Sequence, residues 1–492
     1  MFSPSNFRDL FQPNYCERRV WLAANRPDLA FEDIEFNELV KGKGLAVEDA
    51  HVQTVGPVES PTYPEGDISS GFEETLKLIK SKIPIIYQGV LMSHDGQFTA
   101  IPDLLILDRK TGGYKVRDVK LATNLDNHPE IVLELGLSKM VAEEVLGYST
   151  TIEVVTGDGQ IISPFNVPDK KIVIACIKRI FELENLSDEP SEPTGWSKCE
   201  PCPFFEYCWD SAWERHDVST ISSVEQGMAR ALWANGVQTW EDVLNLGIGN
   251  LTDISFQRGS QVQRIGPTRT EKIMRQARCL TKGIYDVKSA IVLPRSYSKG
   301  NRPIMIFDIE NNIFEEIGLG INVYLWGLMV VLPNDIQEQE LILAPPGEEG
   351  DAEGWHQFLS VISRIFEKNG DMPVIHYGSH EKTWVSKYIN RYGDDREVGQ
   401  RLLTNLWNLY SAISSSVILP VPSYSLKQLE GFVGFMRTQE EYGGSWSIVR
   451  YNQYLQASNQ EAERIIEEIR TYNREDLLAT YAVYKWLEEN CC

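Results

Sequence analysis

No stretch of about 18 uninterrupted apolar residues occurs in this 492-residue chain, so nothing in it reads as a membrane-crossing helix. The N-terminal MFSPSNFRDLFQPNYCERR lacks the apolar core of a secretory leader. Both absences lead us to expect a cytoplasmic protein with no membrane partner. Positive charge is also short. With 47 Lys and Arg against 70 Asp and Glu, the formal net charge of -23 disfavours general attraction to nucleic acid or anionic lipid. Any polyanion partner must meet a local basic patch. There is no internal repeat and no low-complexity tract. The eight cysteines are irregularly spaced, a poor disulfide framework for a reducing compartment, so a tight thiol group points instead to metal or catalysis.

What is present is an ordinary globular composition, 42% hydrophobic and 24% charged, in a chain long enough for several domains. Residues 1–217 mix periodicities: LAVEDAHVQTV reads as a helix, while IIYQGVLM, QFTAIPDLLILD and YKVRDVKLA read as strands of an antiparallel meander. PEIVLELGLSKMVAEEVLG then has helical spacing, with Pro at its start and Gly after its end. The acidic, Pro-containing LSDEPSEPTG follows as a loop. Residues 218–290 read as short helices around Gly turns, and residues 300–492 return to strands in PIMIFDIE and VYLWGLMVV before finishing in helices.

Three features carry chemistry. The first is WSKCEPCPFFEYC, which sets Cys199, Cys202 and Cys208 within ten positions. A fourth ligand must come from elsewhere. Cys176 sits in an apolar run and reads as packing, and Cys491 and Cys492 lie at a chain end, which leaves Cys16 in the polar NYCERRVW as the candidate we favour over Cys279. Four cysteines suit tetrahedral zinc or a 4Fe-4S cluster, and a single cysteine far upstream, where structural zinc usually takes two close pairs, tilts the spacing slightly toward iron.

The second feature is paired acids. In IPDLLILDRKTGGYKVRDVKLA, Asp118 and Lys120 share one face of a strand and Asp103 can join them from its neighbour, a set able to hold Mg²⁺ against a phosphodiester. In IMIFDIENN, Asp308 and Glu310 share a strand face. Glu381 follows a later apolar strand, and Tyr472 with Asp476 stand at i and i+4 on a helix. Four carboxylates and a phenol could form a cage for Mg²⁺ or Mn²⁺. The third feature is the basic patch from Arg258 to Lys282, which contains the single acid Glu271. Its IGP turn at Ile265 to Pro267 opens a helix, where Arg264, Arg269, Lys272 and Arg275 can meet phosphates.

The order of His51, Asp103, Asp118 with Lys120, a helix, then Cys-x2-Cys-x5-Cys with an early Cys16 resembles the RecB-like PD-(D/E)xK nucleases that carry an iron-sulfur staple. The resemblance implies a restriction-endonuclease-like fold over residues 1–217, a structural cluster on Cys16, Cys199, Cys202 and Cys208, metal ligands His51, Asp103 and Asp118, and Lys120 assisting water. Glu134 and Ser138 stand where that family has a Q-x-x-x-Y motif. Residues 300–492 resemble the RNase H-like DEDD exonucleases with Y-x-x-x-D as last motif, in their YprB-like branch. That resemblance assigns Asp308 and Glu310, Glu381, and Tyr472 with Asp476 to catalysis, and SYSLKQLEG also fits, with Asn408 where an Asp often precedes it. The middle residues 218–290 resemble helix-hairpin-helix modules. Together these imply an α/β multidomain, metal-dependent nuclease. We expect a DNA exonuclease, with RNA as another substrate, acting in DNA processing, repair or defence beside a helicase. The alternative is a catalytically decayed nucleic-acid-binding or assembly subunit.

Overall fold

The computed structural model describes residues 2–31, 33–259, 261–289, 293–294, 303–312, 323–332 and 335–491. They form two compact units: residues up to 192 with 198–208, and residues 193–197 with the described chain from 209 onward. No helix among the described residues is long and apolar enough to cross a membrane.

The sheet of the first unit runs in the order Ile85–Tyr87, Leu104–Leu107, Tyr114–Val119, Ile152–Val155, Ile161–Ile162. Its first three strands are antiparallel. The fourth is parallel to the third, because the helix Pro129–Leu146 carries the chain back before Ile152–Val155 begins. Two apolar runs break earlier than their composition suggests. IIYQGVLM ends its first strand before Gln88, which takes a left-handed φ of 50°, and QFTAIPDLLILD is cut at Pro102, which has no N–H for a ladder. The pieces Leu91–Met92 and Thr99–Ala100 pair as a separate ribbon. Pro129 in the first turn and Gly147 at φ 76° bound the helix between them. Leu135, Leu137 and Val141 on that helix share one core with Val116, Ile152 and Val154. Its Glu130, Glu134 and Ser138 are buried as well.

In the second unit, Gln226–Ala234 and Trp240–Leu246 form a helix pair around Gly236 at φ 78°. The short helices expected throughout residues 218–290 do not continue without interruption. After the short helix Ile248–Thr252, the strands Ser255–Arg258 and Gln261–Arg264 make a hairpin, and the single helix Gly266–Lys282 follows. Only Phe256 on the first of these strands is buried, so four residues carried too little pattern to separate strand from helix.

The larger sheet of this unit has the order Ile336–Leu343, Val323–Leu332, Ile304–Asn311, Val374–His376, Leu406–Asn408. The first three strands are antiparallel and the last two continue parallel to Ile304–Asn311. Alternation along Ile304–Asn311 sends Met305, Phe307 and Ile309 into a core with Trp355, Phe358, Trp384 and Tyr388. Ile304 and Ile306 enter the opposite core, with Leu477, Tyr481 and Tyr484. Helices Glu348–Asn369 and His380–Tyr392 therefore cover one face and the C-terminal helix Asn459–Cys491 the other. Asp308 and Glu310 have the parity of Ile304 and Ile306, so the strand aims both at the C-terminal helix.

Close approach of that helix depends on a missing side chain. Gly327 is the partner of Asp308 across the sheet, and a Cβ there would lie 1.9 Å from Asn473 Oδ1. Asn473 is fully buried. Gly327→Ala is therefore expected to destabilise the chain by about 1–3 kcal/mol through overpacking. In thermal melts the double variant Gly327→Ala/Asn473→Ala should recover part of the loss, because the obstructed atom is gone.

Candidate active site

One carboxylate oxygen each of Asp308, Glu310 and Asp476 lie within 4.8 Å of one another, the one group of three possible metal-ligating side chains that close among the described residues. The strand supplies two of these acids and the C-terminal helix the third. Asn473 donates from Nδ2 to Asp308 Oδ2 at 2.7 Å and to Glu310 Oε1 at 3.4 Å, which ties helix to strand. Tyr472, one position before Asn473, is 8% exposed, hydrogen-bonds to Asp476, and meets Trp446 edge-on at 5.8 Å. Arg437 donates from Nη2 to Asp476 Oδ1 and grips Glu430 through Nε and Nη2.

Burial and mutual repulsion set the protonation of the group. Burial first, then the charges of Asp476, Glu310 and Glu381, push Asp308 well above the usual carboxylate range. Burial and then Asp476 raise Glu310 to about 8. Burial raises Asp476 only to about 6, because the Arg437 guanidinium opposes it. Glu381 lies within the field of Asp308 yet turns toward His376, whose Nδ1 is 3.0 Å from Glu381 Oε2, with both side chains buried. Asn408 caps a helix: its Oδ1 accepts from Ser411 N at 2.9 Å while its Nδ2 donates to Gly378 O. The structure thus gathers Asp308, Glu310, Asp476 and Tyr472, keeps Glu381 at their edge, and occupies Asn408 elsewhere.

In the first unit, Asp103 Oδ2 accepts from Val119 N at 2.6 Å and Asp118 Oδ1 accepts from Asp103 N at 3.2 Å, so each acid reaches across to the other's backbone. Burial, then Asp118 and Glu48, push Asp103 to about 8. Burial alone would depress Lys120, but Asp118, Glu134 and Asp103 more than offset it and hold its ammonium above the ordinary value. Lys120 Nζ is 3.4 Å from Glu134 Oε2, and Arg8 Nε is 3.4 Å from Glu134 Oε1. His51 is not with the acids. Its Nε2 lies 3.3 Å from Arg117 Nη1, on the opposite parity of the strand from Asp118, and burial followed by Arg117 lowers its pKa. Glu48, one turn earlier on the same helix, is the residue whose charge reaches Asp103, and it accepts from Gln88 Nε2 at 3.1 Å.

Cys16, Cys199, Cys202 and Cys208 are half-buried neighbours. A turn joins Cys202 N to Cys199 O at 2.8 Å. Burial, then Glu192 and the thiols of Cys199 and Cys202, raise Cys16 to about 12. Burial also raises Cys208 to about 12, with Cys202 and Cys199 adding to it and Arg18 opposing. No three of these sulfurs lie within 4.8 Å of one another among the described residues, so the thiols are gathered without cluster geometry. Cys176 packs against the core of the first unit, while Cys279 and Cys491 are buried in the second. Cys492 lies outside the described residues.

The expected phosphate-facing cations are largely engaged. Arg275 pairs with Asp286 at 2.6 Å and Glu271 at 3.6 Å, Arg264 lies 3.7 Å from Asp253, and Arg269 stacks over Phe256 at 5.4 Å. Lys272 is exposed on the helix Gly266–Lys282. Several working residues escaped the sequence reading. Asn473 could have been found, since a position three before Asp476 shares its helix face, and Glu48 likewise, three before His51. Arg437 and His376 carry no local signal, and only the fold brings them to the acids.

A family model of the RNase_H superfamily matches residues 305–488, from the acid-bearing strand to the C-terminal helix. No curated protein matches the chain. This segment is RNase H-like, a resemblance that points to nuclease-type, metal-dependent phosphodiester hydrolysis, and its acidic triad is a possible metal site.

An acid with a raised folded-state pKa contributes stability that is full below its unfolded pKa and lost as pH rises through the raised value. Asp476 at about 6 and Glu310 at about 8 set that window. Metal-free protein should melt at progressively lower temperature from about pH 5 to about pH 8. Mn²⁺ should raise the melting temperature more at the upper end, where the carboxylates are free to bind it. Asp308→Asn should abolish that Mn²⁺ increment.

Proposed function

We propose that the chain is a metal-dependent nuclease that hydrolyses phosphodiester bonds in DNA as an exonuclease, with the RNase H-like site as its principal centre. The convergence of Asp308, Glu310 and Asp476 within 4.8 Å carries the proposal. Oxygen-only, anionic and rigidly held, this donor set fits a hard divalent cation such as Mg²⁺ or Mn²⁺. Bound there, such an ion would supply Lewis-acid assistance at phosphorus. Asp308, Glu310 and Asp476 would hold it. Asn473 fixes the rotamer of Asp308, and Arg437 does so for Asp476. The Tyr472 phenol, hydrogen-bonded to Asp476 and raised well above its usual pKa by burial and the acids, stays protonated and can orient a water. Glu381, held by His376, is the remaining acid for the approach to phosphorus.

In the first unit, the paired Asp103 and Asp118 with Lys120 beside them support a second centre of PD-(D/E)xK type. Glu48 takes the place the family resemblance gave to His51. The four gathered thiols are the proposed ligands of a structural 4Fe-4S cluster, with zinc as the alternative. The basic segment with Arg264, Arg269, Lys272 and Arg275 is the proposed phosphate contact of the middle region, with Arg264 and Lys272 its exposed cations.

A nucleic-acid-binding subunit is the second reading, and one observation favours it. Asn408 is spent on helix capping and Gly378, which removes an acid the branch often supplies.

Labelled single-stranded DNA, duplex DNA and RNA incubated with Mn²⁺ decide between them. Wild type should degrade DNA from an end, and Asp308→Asn should slow this by ~100-fold or more, the scale of losing several kcal/mol of charge stabilisation. Asp118→Asn reports separately on the first unit. Equal inertness of wild type and both variants, with DNA still bound, would establish the binding reading. Anaerobically purified wild type should be brown and contain iron and sulfide, and Cys199→Ser should lose both. Zinc in their place would correct the cofactor without touching the RNase H-like site.

A further inference from the structure

Arg437 stands among the acids of the RNase H-like site with its side chain only 6% exposed. Its Nε lies 3.0 and 3.1 Å from the two oxygens of Glu430, and its Nη2 lies 2.7 Å from Glu430 Oε2. The same Nη2 donates to Asp476 Oδ1. The guanidinium is flanked by the rings of Tyr442 at 4.6 Å and Tyr472 at 5.5 Å. Its Nη1 is buried and has no hydrogen-bond partner.

The planar geometry of the group says where that open donor faces. With Nε and one Nη2 hydrogen committed to Glu430, the second Nη2 hydrogen and the inner Nη1 hydrogen run parallel along the far edge of the fork. One of this pair goes to Asp476, so the other opens beside the Asp476 carboxylate, at the triad. A buried charged donor left unmade is costly. Glu430 and two aromatic rings fix the guanidinium, so it cannot swing away to satisfy Nη1, and the group is already ordered for whatever arrives. The arriving group must be an acceptor, and a divalent cation cannot be one.

We propose that Arg437 Nη1 binds a non-bridging oxygen of the nucleic-acid phosphate seated at the acidic triad, so that one edge of the fork holds a metal-ligand carboxylate and the substrate together. The proposal rests on the nuclease reading above and adds to it a substrate-contacting residue from outside the strand and helix motifs. It accounts for how an anionic substrate enters a pocket lined by Asp308, Glu310, Asp476 and Glu430: the phosphate meets a fixed guanidinium on one side and the cation on the other.

The test uses the full chain, with thymidine 5′-monophosphate as probe and calorimetric titration in Ca²⁺ and without it. Mn²⁺ affinity is measured separately on the same proteins. With Mn²⁺ affinity measured in parallel to account for the loss of the Asp476 clamp, Arg437→Gln should weaken nucleotide binding by ~10-fold or more beyond any fall in Mn²⁺ affinity, the range of one charge-assisted hydrogen bond. Arg437→Lys, which keeps the charge but not the fork, should recover only part. A single-stranded substrate with a neutral methylphosphonate at the scissile linkage extends the readout. It should penalise wild type more than Arg437→Gln, because the variant has already lost the oxygen's partner.

Unchanged nucleotide affinity in Arg437→Gln, or a loss that only mirrors a fall in Mn²⁺ affinity, would overturn the proposal and leave Arg437 a clamp on Asp476. Failure of wild type to bind the nucleotide overturns it as well. If Arg437→Gln unfolds, the Arg437→Lys titration and the methylphosphonate comparison in that variant decide. The nuclease reading fails on different evidence: Mn²⁺ bound equally by wild type and Asp308→Asn. Nucleotide affinity that still follows Arg437 in that case would keep the phosphate site and remove the metal one.

Discussion

Three carboxylates forced together in a buried pocket repel one another, and the second unit is organised around that repulsion. At separations under 5 Å inside a protein the unfavourable Coulomb term is several kcal/mol if all are charged, so the site must recruit protons, cations or hydrogen-bond donors. It uses all three. Asp308 and Glu310 are pushed toward their protonated forms, Arg437 offsets Asp476, and the Asn473 amide is spent on the first two acids. Each of these compensations comes from a different element, so the site exists only when strand, C-terminal helix and the Arg437 loop are all docked. A divalent cation is the natural partner for charge held at such cost, and the RNase H-like character of residues 305–488 is consistent with it.

The first unit treats the same problem differently. Asp103 and Asp118 are each satisfied by a backbone N–H of the other's strand, and Lys120 supplies the balancing charge at close range. Glu134, which departs from the family pattern as a sequence motif, is bound by Lys120 and Arg8 and so closes the network. An acid at that place makes electrostatic sense only because two cations converge on it from distant parts of the chain.

Much of the fold was legible because periodicity is local. The parity of Asp308 and Glu310, the i and i+4 spacing of Tyr472 and Asp476, and the Pro129 and Gly147 boundaries all follow from spacing within one element. What was illegible depended on tertiary placement. The resemblance points to His51, whereas in the packed helix the charge of Glu48 reaches Asp103 and His51 meets Arg117. The hairpin at Ser255–Arg264 is not legible in the sequence, because four-residue strands with one buried side chain on the first leave almost no pattern. Arg437 lies in a loop whose composition gives no hint that its cation is buried among acids.

The gap at Gly327 has a consequence for how the protein assembles. Shifting Val323–Leu332 by one position against Ile304–Asn311 would bring Trp326 or Leu328 opposite Asp308 and turn every side chain of the strand to the wrong face. Asn473 would then have no hollow to enter, and the last helix could not seat. The empty space works as a gauge that admits only one alignment of the hairpin, so an incorrectly paired sheet is left without its acidic centre instead of acquiring a defective one.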